Sequence, residues 1–220
     1  MSAIQPIQMN CDGIARYYEA LERLSFGRFL ERSRFAFLGE TRFSQRAILC
    51  GGGDGRFLAR LLCENPRVEV DFVELSPKMI ELAERRVAGM GRAFRERVRF
   101  HSTDIRDFQP WPEGYDLIVT HFFLDCFGEQ ELAQVVARLA SCGAPRVRWI
   151  VSDFREADGL IGRMWTGAVI RGLYAAFQLT TGLCVTQLPD YAAALARRGY
   201  FLRCEEKALG GLLHSSLWEA

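Results

Sequence analysis

A short glycine-rich segment is the first group of residues whose types and spacing could do chemistry. Gly51, Gly53 and Gly55 alternate in the segment Gly51-Gly52-Gly53-Asp54-Gly55, which follows an apolar run at 47–50 and precedes a helix-like run at 57–62. Glycines let the backbone turn sharply and let a ligand lie against main-chain atoms, and a following helix offers its positive N-terminus. An ordinary glycine-rich turn has the same residues, but the strand before and the helix after favour a ligand loop that includes Asp54.

Two acidic residues follow the next two strand-like runs. Glu74 comes nineteen residues after Gly55, where a carboxylate can accept hydrogen bonds from both hydroxyls of a ribose. Asp104 ends the third run and can accept from an adenine amino group, although aspartate is also common at turns. We expect their neighbours Leu75 and Ile105 to contact the same nucleoside. A nicotinamide dinucleotide is less favoured, because Arg56 stands where its fingerprint requires a third glycine.

The segment after the fourth strand-like run supplies the candidate catalytic residues. His121 and Asp125 are four residues apart, so they share one face if this stretch is helical. A histidine with its ordinary pKa of about 6.5 suits proton removal near neutrality, and Asp125 would orient its ring. The alternative is a structural histidine among phenylalanines. We expect Thr120, at the end of the same strand, to contact the nucleoside ligand.

Strand-like and helix-like runs alternate through the middle of the chain, which predicts a parallel sheet with helices on both faces. Two further strand-like runs, at 200–206 and 212–218, predict an antiparallel hairpin. The predicted fold is therefore a Rossmann-like seven-stranded α/β sheet in a single domain. It divides into a helical cap at 1–46, a core at 47–156, and acceptor-side helices with the hairpin at 157–220. The other predicted strands are 47–50, 68–75, 98–102, 115–120 and 147–152, and the predicted helices are 57–62, 77–88, 129–139, 160–177 and 189–198.

With these motifs the sequence resembles the class I S-adenosylmethionine-dependent methyltransferases over nearly its whole length. The resemblance rests on the glycine loop, on Glu74, on Asp104 and on the strand at 115–119. It implies S-adenosylmethionine as cofactor and S-adenosylhomocysteine as product. The N-terminal segment is also similar to that of the ubiquinone/menaquinone C-methyltransferases, which implies that Tyr18 lies near the methionine end of the cofactor.

Two departures from the family pattern concern the acceptor and the cofactor. Leu49 stands where the family loop has an acidic residue, so one polar contact with the methionine end is missing or supplied elsewhere. The quinone enzymes have an Arg-Asn pair after the fourth strand, whereas this chain continues with aromatic residues from Phe122 to Phe127. These aromatic residues, with Met164, Trp165, Tyr174 and Phe177, are expected to line an apolar acceptor pocket or to form core.

Composition limits the partners. Twenty-eight basic and twenty-seven acidic residues leave a net charge of +1, so no overall field attracts nucleic acid. Arg163 and Arg171 interrupt the most apolar run, which argues against a transmembrane segment but leaves peripheral membrane contact open. Seven cysteines without a Cys-x-x-Cys pair suit a reducing cytoplasm, where we place a monomer or homodimer. The three histidines have no ligand-like spacing, so no metal is expected.

The function predicted from these observations is methyl transfer from S-adenosylmethionine to a small, largely apolar or aromatic acceptor by in-line displacement. Two alternatives stay open. The loop also resembles that of the spermidine-synthase aminopropyltransferases, although a polyamine acceptor needs carboxylates that the aromatic segment lacks apart from Asp125. The second alternative is a non-catalytic protein that binds the cofactor or a partner. Asp153, at the end of the fifth predicted strand, lies on the ligand edge without an assigned role, and so does His214 in the last strand.

Overall fold

The computed structural model describes residues 28–181 and 188–220. The predicted cap up to residue 27, with Tyr18, lies outside the described residues. The helices are α1 (Arg28–Phe35), α2 (Arg56–Glu64), α3 (Pro77–Ala88), α4 (Arg92–Arg95), α5 (Glu129–Ser141), α6 (Leu160–Thr181) and α7 (Tyr191–Ala196). Short 3-10 turns cover Leu38–Thr41, Leu124–Cys126 and Leu209–Gly211.

Seven strands form one sheet across the described residues, in the order β3-β2-β1-β4-β5-β7-β6. They are β1 (Arg46–Cys50), β2 (Glu69–Glu74), β3 (Val98–Ser102), β4 (Tyr115–His121), β5 (Gly143–Phe154), β6 (Phe201–Ala208) and β7 (Leu213–Glu219). The first five run parallel, and β7 runs antiparallel to both β5 and β6. The predicted seven-stranded fold is confirmed.

Apolar side chains on both faces of the central strands explain the layered architecture. On one face Leu49 and Val119 pack with residues of α2 and α3, and on the other Ile118 and Val151 pack with residues of α5 and α7. Because helices cover both faces, the central strands form near-continuous apolar runs in the sequence. This arrangement brings the carboxyl ends of β1 to β5 to one edge of the sheet.

Element bounds differ from the prediction where local chemistry overrides periodicity. Strand β5 is twelve residues long, whereas six were predicted. At its end, pairing with β7 continues through Phe154. At its start, a register shift between Tyr115 and Leu117 of β4 extends the pairing back to Gly143. Helix α7 is shorter than predicted, since the Asp190 side chain caps its start by accepting from the Ala193 amide. None of the described helices is long and apolar enough to cross a bilayer.

Candidate functional site

The carboxyl ends of β1 to β4 surround a solvent-open pocket of about 870 Å³. One wall is built from the glycine loop and the ends of β2 and β3, and the opposite wall comes from the aromatic segment after β4. The lining residues are Cys50, Gly51, Gly53, Val73, Glu74, Leu75, Met79, Thr103, Asp104, Ile105, Arg106, Phe122, Phe123, Cys126 and Phe127. Six of the predicted cofactor-binding residues are among them: Gly51, Gly53, Glu74, Leu75, Asp104 and Ile105.

Close packing explains the glycines of the loop. Gly51 has a φ of 64°, and a Cβ added there would lie 2.5 Å from Cδ2 of Phe123 in the opposite wall. A Cβ at Gly52 would lie 2.2 Å from the ring of Phe72, which is fully buried in the core. The bare backbone therefore lets the loop approach the aromatic wall and leaves main-chain atoms of Gly51 and Gly53 facing the pocket.

Glu74 is held by main-chain donors at the end of β2. Its Oε2 accepts from the Gly53 amide at 3.2 Å, and its Oε1 accepts from the Ser76 amide at 3.1 Å. Burial raises the pKa of Glu74 above its ordinary value, although these backbone hydrogen bonds oppose the shift. A carboxylate offers about four acceptor positions, and the backbone amides of Gly53, Ser76 and Leu75 donate to this one. The remaining acceptor capacity suits the vicinal hydroxyls of a ribose.

Asp104 is on the pocket wall as predicted, but its carboxylate already has a strong partner. The Arg106 guanidinium donates to both carboxylate oxygens, with Nε 2.9 Å from Oδ1, and the Arg106 amide also donates to Oδ1 at 2.9 Å. Burial opposes ionisation of Asp104, but these hydrogen bonds outweigh it and lower the pKa below its ordinary value. An adenine amino group would have to share this carboxylate with Arg106.

Two loop residues that were predicted to bind the cofactor, Asp54 and Gly55, do not line the pocket. The Asp54 carboxylate is buried and ion-paired with Arg56 Nε at 3.0 Å and with an Arg86 guanidinium nitrogen at 2.9 Å, so it fastens the loop to α3. Gly55 packs against Ala83 of α3. Both residues were predicted to bind the cofactor, and the contacts that the structure shows for them hold the loop in shape.

Thr120 was predicted to contact the cofactor, and in the structure its side chain points into the core. It is fully buried, and its Oγ1 accepts a hydrogen bond from Trp149 Nε1 at 3.0 Å. Side chains alternate between the faces of a strand, and this one faces the layer that contains α5 and α7. It does not line the pocket.

His121 and Asp125 do not form the predicted pair. The stretch between them is a strand end followed by a 3-10 turn, so the four-residue spacing of an α-helix does not apply. The His121 ring packs edge-on against Phe57 with centroids 4.6 Å apart, and neither ring nitrogen has a hydrogen-bond partner among the described residues. Burial, together with the charge of Arg34, lowers the pKa of His121 well below 6.5. His121 does not line the pocket, which leaves its predicted role as base without geometric support.

Burial of a neutral His121 predicts a pH-dependent stability. The unfolded chain binds a proton at this residue below about pH 6.5 and the folded chain does not, so the free energy of unfolding should fall as the pH drops below that value. One proton corresponds to a slope of about 1.4 kcal/mol per pH unit. Denaturant unfolding of the wild type and of His121→Phe between pH 7 and pH 5 would measure it. The variant should have the shallower slope, and equal slopes would contradict the burial of a neutral ring.

Asp125 instead meets Asp153, at the end of β5. Their side chains are hydrogen-bonded to each other, and Asp153 Oδ2 also accepts from the Leu124 amide at 3.2 Å. Two carboxyl groups form such a bond only when one of them is protonated. Burial, and for Asp153 the charge of Asp125, raise the pKa of both groups. Asp153 could have been recognised in the sequence as a site residue, because it follows a predicted strand, as Glu74 and Asp104 do.

The wall opposite the glycine loop is aromatic. Phe123 and Phe127 meet edge to face with ring centroids 5.0 Å apart, and Phe122 packs on Phe154 at 5.4 Å. Phe122 has a φ of 52°, which is uncommon for a bulky residue, and its amide donates to Ser152 O. This turn places three rings against the pocket. Met164 and Trp165, which were expected to join them, are 69% and 50% exposed on α6, and the side chains of Tyr174 and Phe177 lie outside the description.

The residues present fit a sulfonium nucleoside. The half-buried carboxylate of Glu74 lies beside glycine main chain, and the apolar side chains of Leu75, Met79 and Ile105 offer surfaces to a flat ring. The family pattern has a carboxylate at position 49, but this chain has Leu49 there, and its side chain is buried in the core. Within the described ranges no three His, Cys, Asp or Glu side chains are grouped to hold a metal ion.

Comparison with known proteins points the same way. Residues 50–148 match a family model described as a methyltransferase domain. The chain is 28% identical over 115 residues to the human N-terminal Xaa-Pro-Lys N-methyltransferase 1, an alignment that covers 52% of this chain and 50% of the human protein. The chain thus spans about half the length of that relative.

Solved structures share the fold. The structure of PigF with SAH superposes with a TM-score of 0.70 at 18% identity, covering 97% of this chain and 61% of PigF. The mitomycin 7-O-methyltransferase MmcR superposes with a TM-score of 0.67 at 17% identity, covering 95% of this chain and 60% of MmcR. At these identities the likeness establishes the fold alone.

Proposed function

We propose that the chain is a class I S-adenosylmethionine-dependent methyltransferase and that it methylates a small, largely apolar or aromatic acceptor in the pocket described above. The observation that carries the proposal is the two-sided lining of that pocket. The glycine loop and Glu74 form the donor wall, and Phe122, Phe123 and Phe127 form the acceptor wall.

The donor wall would bind the nucleoside through groups of different kinds. Glu74 would accept from the ribose hydroxyls, Leu75 and Ile105 would cover the flat base, and Asp104 with Arg106 would border its edge. When bound, S-adenosylmethionine would supply a sulfonium methyl group whose carbon a nucleophile can attack, with S-adenosylhomocysteine as the leaving group. The protein has mainly to align donor and acceptor and to exclude water, since positioning removes much of the entropic barrier.

The acceptor wall supports an apolar or aromatic partner. Phe123 and Phe127 meet edge to face and partly shield each other, but both rings still face the pocket. An acceptor with an aromatic or aliphatic body would bury apolar surface there, worth about 25 cal/mol for each Å² removed from water. The similarity to an N-terminal N-methyltransferase supports methyl transfer and adds peptide amines to the acceptors that merit testing.

Calorimetry and a transfer assay test this function. We expect the purified protein to bind S-adenosylmethionine and S-adenosylhomocysteine, and to move an isotopically labelled methyl group to at least one member of a panel of phenols, quinols, fatty acids, thiols, amines and short peptides. Failure to bind either nucleoside would contradict the proposal. Transfer of an aminopropyl group from the decarboxylated donor to a polyamine would support the aminopropyltransferase alternative, whereas nucleoside binding without any transfer would favour a non-catalytic binding protein.

A further inference from the structure

The ion pair of Asp104 and Arg106 lies in the pocket wall where the edge of the nucleobase is expected. We infer that Arg106 determines how the base is recognised, because it occupies the carboxylate of Asp104 and so removes the 6-amino group of adenine from recognition. The inference rests on the proposed function and narrows its donor side. A donor nucleoside whose purine lacks the 6-amino group should therefore bind almost as well as the adenine nucleoside.

Both oxygens of the Asp104 carboxylate already accept hydrogen bonds. Oδ1 accepts from the Arg106 amide and from Arg106 Nε, each at 2.9 Å, and Oδ2 accepts from Arg106 Nη2 at 2.5 Å. A carboxylate has about four acceptor positions, so Arg106 leaves about one of them open. Fork-like pairs between arginine and a carboxylate are among the strong charge-assisted hydrogen bonds. An amino group would therefore meet a carboxylate whose charge is already balanced.

The local turn holds Asp104 in this pairing. Its main-chain oxygen accepts from the amides of Asp107 and Phe108 at 3.0 and 3.1 Å, and its side chain accepts from the Arg106 amide. Aspartate side chains that bond to the backbone two residues on fix turns of this kind. Rotating the carboxylate toward a ligand would therefore break the amide contact as well as the ion pair.

Helix α5 holds Arg106 from its other side. Arg106 Nη1 lies 3.6 Å from Glu131 Oε1, and Glu131 Oε2 accepts from the Gly128 amide at 3.4 Å. The side chains of Arg106, Asp104 and Glu131 are 24%, 19% and 14% exposed, so water screens these contacts less than those of a surface pair. Because two elements of the fold hold the guanidinium, we expect it to stay on Asp104 when a nucleoside enters.

Glu74 differs from Asp104 in the partners of its carboxylate. Glu74 accepts from main-chain amides, and within the part of the chain that the structure describes it forms no ion pair with an arginine or lysine. The apolar side chains of Leu75 and Ile105 line the pocket between these two acidic residues. Binding of the donor should therefore depend on the ribose contact with Glu74 and on apolar contact with the faces of the base.

The cost of omitting a donor group depends on what the site loses with it. A site rejects an analogue strongly when one of its own polar groups is then left without a partner. Here Asp104 keeps Arg106 whether or not the base carries an amino group, so the omission leaves no carboxylate unpaired. Without the guanidinium, Asp104 would keep only the amide at position 106, and an amino group on the base would become valuable.

Two nucleosides that differ in one group test the inference. S-adenosylhomocysteine and its analogue with unsubstituted purine in place of adenine would be titrated calorimetrically into the wild type. We expect their Kd values to agree within about fivefold, since Asp104 remains paired with both. A larger preference for adenine would overturn the inference while leaving the proposed function intact, whereas failure of S-adenosylhomocysteine to bind would overturn the proposed function.

Substitutions of Arg106 test whether this residue is the cause. Arg106→Met and Arg106→Ala both remove the guanidinium, and methionine keeps a long apolar side chain. In both we expect adenine to be preferred over purine by about tenfold or more, as a hydrogen bond to a charged acceptor provides. The double variant Asp104→Ala/Arg106→Met should lose this preference, because its acceptor is gone.

Arg92→Met is the matched control for these variants. Arg92 is 91% exposed and pairs with Glu96 on the short helix α4, so its removal should leave the ratio of the two Kd values as in the wild type. Because the readout is a ratio within each protein, partial loss of folding does not produce it. A wild-type ratio in both single variants, or a preference for adenine that persists in the double variant, would overturn the assignment.

Discussion

Replacing Glu74 with alanine is expected to weaken S-adenosylmethionine binding by about 1–3 kcal/mol, which is roughly a 5- to 150-fold rise in Kd. Two ribose hydroxyls would lose a charged acceptor in a partly desolvated site, and the Gly53 and Ser76 amides would lose theirs. Isothermal titration calorimetry measures the change. Glu69→Ala is the matched control, because Glu69 begins the same strand but is exposed at its other end.

Glu74 should also make S-adenosylmethionine binding depend on pH, and the direction follows from its pKa shift. Because burial raises the pKa of Glu74, the carboxylate becomes protonated on acidification at a higher pH than an ordinary glutamate does. Donor affinity should therefore fall as the pH drops toward that raised value, and Glu74→Gln should bind weakly at every pH without this trend. An affinity in Glu74→Ala equal to that of the wild type would mean that the ribose contact is misassigned.

Replacing Gly55 with alanine is expected to lower the free energy of unfolding by about 2–4 kcal/mol, which combines overpacking with a disfavoured backbone conformation. Gly55 has a φ of 78°, and its added Cβ would lie 2.7 Å from the Ala83 Cβ and 2.9 Å from the Ala83 Cα. Since a backbone atom of α3 is in the way, no side-chain rotation relieves the contact. Urea or guanidinium unfolding measures the loss.

Gly39→Ala provides the control for this substitution. Gly39 lies in the 3-10 turn Leu38–Thr41, and nothing approaches within 4 Å of its added Cβ. The free energy of unfolding of Gly39→Ala should differ from that of the wild type by less than about 0.5 kcal/mol, as is usual for surface substitutions. Similar losses in both variants would show that the fit between the loop and α3 is looser than the structure indicates.

Patterns that depend on near neighbours in the chain were predictable. Apolar runs of strand length alternating with helical periodicity indicated the sheet, and the order of glycine loop, Glu74 and Asp104 placed three ligand-facing positions on one edge. These predictions succeed because parallel strands joined by helices must bring their carboxyl ends together. Helix α3 begins and ends where Pro77 and Ala88 were predicted, since Ser76 caps its start.

Predictions that required knowing the direction of a side chain were less reliable. His121 and Asp125 were paired on the assumption of a helix, but a strand end at His121 and the positive φ of Phe122 turn their side chains apart. Thr120 was expected to contact the cofactor, whereas strand alternation turns it toward Trp149. Asp54 has the residue type of a ligand contact, yet its carboxylate is ion-paired with Arg56, two residues along the chain, and with Arg86, 32 residues along.

The sequence by itself determined the order of the elements, the class of the fold and the identity of the glycine loop, because these follow from residue type and spacing along the chain. Tertiary structure decided which polar groups remain available at the site. Only packing shows that Arg106 occupies the carboxylate of Asp104, and that Asp125 meets Asp153 rather than His121. Both facts depend on contacts made across the sheet edge or around a turn, where burial sets the charge state of each group and sequence spacing does not report it.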